Sequence, residues 1–130
     1  MKKVKITAIR KAFYPDLSAK YENPISHTCD VEEGQVWISC DGEKPEGFCD
    51  SAWDSISAFV MTLAQGGGNF YDGWMKDPYS AMLSCNDGFR PVSFYLEALD
   101  GEGKLIGHYE KHDYRDRDMA PLYDLSRKQA

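Results

Sequence analysis

Ala52, Trp53, Ile56, Phe59, Val60 and Leu63 recur three and four residues apart, a spacing that gathers them into one stripe along a helix. A helix over residues 50–65 must turn that stripe toward a core, so the rest of the chain has to supply a surface for it. Asp50 reads as its N-cap, because a carboxylate there accepts from the free amides of the first turn. Gly66-Gly67-Gly68 reads as its stop, since glycine adopts the left-handed conformation at which helices end. The same glycines follow a helix rather than precede one, which is the wrong polarity for a phosphate cradle.

The matching surface comes from segments of period two. Lys3-Val4-Lys5-Ile6-Thr7-Ala8-Ile9-Arg10 alternates polar with apolar and predicts a strand with one buried face. Residues 35–40 predict a second strand after the turn Glu33-Gly34, with Cys40 as its inward end. Residues 81–85 and 91–99 predict a hairpin around Asn86-Asp87-Gly88, and residues 104–110 a third strand that completes a meander. Asp16 can cap a short helix through about Tyr21, ended by Asn23-Pro24. The expected class is α+β: a small antiparallel sheet against one main amphipathic helix, with a short second helix.

At 130 residues with 42% apolar content, the chain suits one domain with one core, expected over residues 1–110. Residues 111–130 form a charge-mixed C-terminal tail in which Pro121 can open a short helix carrying Leu122 and Leu125. A formal charge of −6 argues against a nucleic-acid partner, whose phosphates call for clustered Lys and Arg. No stretch approaches the roughly 18 apolar residues of a membrane span, and the opening Met1-Lys2-Lys3 leads into alternation rather than a signal peptide. A cytoplasmic location is expected, where cysteines serve as buried thiols, metal ligands or reactive groups more often than as disulfides.

Cys29, Cys40, Cys49 and Cys85 are dispersed, with no Cys-x-x-Cys pair. Two of them lie in the most distinctive motifs, Pro45-Glu46-Gly47-Phe48-Cys49 followed by Ala52-Trp53, and Cys85-Asn86-Asp87-Gly88-Phe89-Arg90-Pro91-Val92. With Lys3-Val4-Lys5-Ile6-Thr7, Asp16-Leu17, Cys29 and Gly34, Gly66-Gly67 and Trp74-Met75, these motifs make the chain up to about Leu99 resemble a family of small uncharacterised prokaryotic proteins of roughly ninety residues. The resemblance implies an α+β domain and carries no activity or cofactor. Cys29, Cys49 and Cys85 fall within its motifs, and Cys40 falls outside.

Cys49 directly precedes the long helix, where unpaired amides favour a thiolate. It is the candidate nucleophile, with His27 as its candidate base, set against simple packing of Cys49 near Trp53. If the fold gathers Cys29, Cys49 and Cys85, three thiolates can hold zinc or an iron–sulfur cluster; three packed thiols would look the same in sequence. His108 and His112 would share a helical face, but Leu105 to Tyr109 reads better as a strand, which speaks against a metal site there. Phe70, Tyr71, Trp74 and Tyr79 crowd the segment 69–79, and large aromatics in a loop line a pocket, anchor an interface or fold back over the sheet. Phe70, Trp74, Phe89 and Arg90 are the candidate ligand-binding residues, Arg90 by pairing with a carboxylate, or alternatively with Asp87 or Asp50. The preferred reading is a small domain that self-associates as a homo-oligomer and binds a small molecule near the cysteines and aromatics. The alternative is a redox or metal-dependent enzyme using Cys49 with Cys29 and Cys85.

Overall fold

The computed structural model describes residues 1–105. The alternation at the start of the chain becomes β1, Val4–Lys11, with Val4, Ile6 and Ala8 fully buried on one face. It is followed by α1 (Pro15–Tyr21), β2 (Val36–Ser39), α2 (Asp50–Ala64), β3 (Ser80–Ser84) and β4 (Val92–Ala98). The strands form one antiparallel sheet in the order β2-β1-β4-β3. Register aligns the inward residues across it: Ile6 faces Trp37 on one side and Leu96 on the other, and Leu96 faces Ala81.

Helix α2 lays Ala52, Ile56, Val60, Leu63 and Ala64 on that face. Complete burial of a side chain such as Ile56 stabilises the fold by about 1.5–3 kcal/mol. Trp53 is half-buried at the edge of this core, its ring 6.1 Å from that of Phe48 and nearly perpendicular to it. The helix stops as the glycines require. Gly66, at φ +93°, donates its amide to Leu63 O and Gly67 donates to Thr62 O, the paired bonds of a Schellman stop.

Three local expectations are corrected. Cys49 is the N-cap of α2, and Asp50 is its first residue, paired instead with Lys44 Nζ at 2.6 Å. Helix α1 starts at Pro15 with Tyr14 as N-cap, because the ring presets the helical φ one residue before Asp16. Cys40 is exposed just beyond β2, and the inward end of that strand is Ser39, whose hydroxyl donates to Glu43 O at 2.6 Å. Pairing decides this, since Ser39 sits opposite buried Val4 and period two sends its neighbour outward.

Strands β3 and β4 form the expected hairpin, and among the described residues the other neighbour of β4 is β1. Leu105 makes a single bridge to Leu99; residues 106–110, His108, His112 and the tail helix lie outside the described residues. Among the described residues no helix is long and apolar enough to cross a membrane.

Candidate functional site: a cleft with two cysteines

Strand polarity sorts the cysteines between the two ends of the sheet. Lys11, Val36, Ser84 and Val92 mark one end, and Val4, Ser39, Ser80 and Ala98 the other. The C-terminus of α2 lies at the second end, where Ala64 O accepts from Lys2 N at 2.8 Å, so its N-terminus with Cys49 lies toward the first. Cys29 is there too, its carbonyl accepting from Lys11 Nζ at 3.2 Å. Cys85, directly after β3, completes the group, whereas Cys40 follows Ser39 at the opposite end.

Two of the three share a cavity. Cys29 and Cys49 line a cleft of about 300 Å³ whose remaining wall is Asp30, Val31, Gln35, Trp37 and Gly47. That volume lies at the lower end of small-molecule sites, roughly 300–1,000 Å³. The turn that builds one wall follows from Pro45-Glu46-Gly47-Phe48. Phe48 N donates to Pro45 O at 3.1 Å, and Gly47 takes φ +80°, a value that L side chains resist. The turn drives Phe48 inward, 4.8 Å from the Trp37 ring and 5.3 Å from Phe94, and leaves Cys49 outside at the helix start. The opposite wall descends to Val31, at the border of the core.

The Cys49 thiol is held below its ordinary pKa by the Ser51 hydroxyl, 3.4 Å from Sγ, and then by the first-turn amides of Ala52 and Ser51; burial and Asp50 oppose them. Sγ closes no formal cap hydrogen bond, so the amides act through the positive field at the helix end. Cys29 Sγ accepts from Val31 N at 3.4 Å. Cys85 is half-buried, its sulfur accepting from Val92 N at 3.3 Å, and it is not part of the cleft wall. His27 is exposed and also lies outside that wall. Among the described residues, no group of three or more His, Cys, Asp or Glu side chains is placed to hold a metal ion.

The four aromatic and basic candidates separate. Phe70 and Trp74 follow the C-terminal end of α2, where Phe70 packs 4.9 Å from Phe59 and Trp74 stands edge-on to exposed Tyr71 at 5.4 Å. Phe89 and Arg90 sit at the other end of the sheet. Arg90 is already committed: Nη1 bridges both Glu22 oxygens at 2.8 and 2.9 Å, and the guanidinium lies over the Phe13 ring at 4.7 Å. Its partner is therefore Glu22, the C-cap of α1, neither Asp87 nor Asp50. The Asp87 carboxylate instead accepts the amides of Phe89 and Arg90. Ser18 first, through its hydroxyl, and then Arg90 hold Glu22 below the usual carboxylate range.

Sequence reasoning reached Cys29 and Cys49 but not Trp37, Gln35, Val31 and Gly47 around them. The available signal was parity, since Trp37 shares its face with Ser39 two residues on. No known family, curated protein or solved structure matches the chain.

Proposed function

We propose that the protein is a small binding domain that takes a compact ligand in the cleft between residues 29–37 and the start of α2, engaging it through the Cys49 sulfur. The observation that carries this reading is the meeting of two exposed thiols in one cleft, one of them at the first turn of the principal helix. A thiolate there suits a ligand with a soft electrophilic centre, and the Trp37 ring supplies an apolar wall for its body. The cytoplasm, where thiols stay reduced, fits such a site.

The test is a screen of ring-bearing, thiol-reactive fragments read by peptide mass. Cys49 should be labelled ahead of Cys40, which is also exposed but outside the cleft, and Trp37→Ala should erase the preference. Equal labelling of the two cysteines would refute the site.

Self-association belongs to the same reading. The outer face of the sheet exposes Val36, Ile38 and Met82, and exposed apolar patches mark interaction surfaces. Light scattering of the full chain at micromolar concentration should report an oligomer; a monomer removes this element alone.

A further inference from the structure

The second sulfur of the cleft differs from the first in how it is held. Cys49 is fixed at the head of a fifteen-residue helix. Cys29 belongs to the connection between α1 and β2, in which every residue from Asn23 to Asp30 is exposed. Among the described residues, no backbone-to-backbone hydrogen bond ties residues 23–31; the Lys11 ammonium on Cys29 O and the Val31 side chain at the core border are its anchors. One thiol is therefore held by a regular element, and the other by an exposed connection with few anchors, the kind of segment that opens most readily.

We propose that Cys49 and Cys29 are a dithiol pair that closes reversibly into a disulfide across the cleft, with a small disulfide-bearing molecule as oxidant. The inference rests on the reading of the cleft as the ligand site. Cys49, as thiolate, attacks one sulfur of the small disulfide. The Cys49–sulfur bond forms, the small S–S bond breaks, and the departing thiolate takes up the proton that Cys49 released. Cys29 then loses its proton and attacks Cys49 Sγ, forming the protein disulfide and expelling the second small thiolate, which is protonated in turn. The protein loses two electrons and two protons, and the oxidant becomes two thiols.

The order of attack follows from the surroundings. The Ser51 hydroxyl and the first-turn amides face the Cys49 sulfur, whereas the Cys29 sulfur accepts from the Val31 amide and the Lys11 ammonium donates to the Cys29 carbonyl. Neither remaining cysteine competes: Cys40 lies at the far end of the sheet, and Cys85 is outside the wall with its sulfur bound to Val92 N.

Treating the full-length reduced protein with glutathione disulfide, then acid quenching and peptide mapping, tests the pair. The wild type should pass through a glutathione adduct on Cys49 to a Cys29–Cys49 disulfide that dithiothreitol reverses, while Cys29→Ser should stop at the adduct. A stable Cys49 adduct in the wild type without the Cys29–Cys49 bond, or pairing of Cys29 with another cysteine, overturns the dithiol and leaves the ligand reading intact. An inert Cys49 overturns both.

Discussion

The two faces of the sheet are made by the same four strands, yet they obey different constraints. On the helix side Val4, Ile6, Ala8, Phe94, Leu96 and Ala98 are each at most 2% exposed. On the other side Val36 and Ile38 remain 46% and 41% exposed, although they are the most β-prone residues of β2. Strand β2 thus turns half-buried Trp37 and buried Ser39 inward and shows its aliphatic pair to solvent. Hydrophobicity did not choose the face. The register against β1 did, because a slip of one residue would have reversed Trp37 and broken its contacts with Phe48 and Phe94. Nor is the outer face uniformly wet. Its central residues Tyr95 and Glu97 are partly shielded, and burial pushes both groups upward in pKa, with Lys5 partly offsetting the effect on Glu97.

Truncation should separate the faces most sharply. Phe94→Ala removes a ring packed on Trp37 and Phe48, and should cost about 3–5 kcal/mol in denaturant unfolding. A loss of less than about 1 kcal/mol, the typical effect of an ordinary substitution, would show that this face is not a packed core. At the border, Trp53→Ala should cost less, about 1.5–3 kcal/mol, because only part of the indole leaves water. A cost equal to that of Phe94→Ala would place Trp53 wholly inside.

Two glutamates extend the contrast with opposite signs. The depressed pKa of Glu22 means that its paired form contributes stability at neutral pH, which is lost as pH falls through and below the ordinary range near about 4.3. Glu22→Gln should therefore lower Tm at pH 7 and flatten the acid limb. Glu97 is raised chiefly by burial, so its ionised form opposes folding as pH rises through that range. Glu97→Gln should raise Tm at pH 7 and change little in acid. Matching signs for the two variants would contradict the assigned environments. The smallest effect is expected at Ile38→Thr, within about 0.5 kcal/mol in the monomer. A larger loss that grows with protein concentration would locate the subunit interface on the outer face.

The helix was legible because its stripe has the right period and glycines stand at its stop, and only the cap shifted by one residue, from Asp50 to Cys49. β1 and the β3–β4 hairpin were legible for the same reason. The inward residue of β2 was not, since Val36-Trp37-Ile38-Ser39-Cys40 offers two alternating sets and only a partner strand chooses between them. The site was half legible. Cys49 announces itself by preceding a helix, but its opposite wall begins twenty residues earlier in the chain, at Cys29, and is brought near by the pairing of β1 with β2. Arg90 failed for a related reason, because Glu22 is 68 residues away and no local pattern links them.

The excursion between α2 and β3 leaves and returns at one point. Asn69 N donates to Pro78 O at 2.6 Å, and Gly68 lies so close to Pro78 O that a Cβ there would meet it at 2.5 Å. Inside this clasp Asn69, Tyr71 and Asp72 all hold left-handed backbones at φ 51–53°, a conformation that costs residues with side chains. The contacts that shut the stem are made by Gly68, Asn69 and Pro78, at its two ends. Lengthening a closed loop costs little, about 0.6 kcal/mol of closure entropy per doubling, so the exposed stretch around Tyr71 and Asp72, beyond Phe70 packed on Phe59, is a natural insertion port. Foreign peptides grafted there would be displayed beside a sheet whose β3–β4 pairs, Ser80 with Glu97 to Ser84 with Ser93, lie outside the loop, and glycine at position 71 or 72 would relax the conformational load before any graft is made.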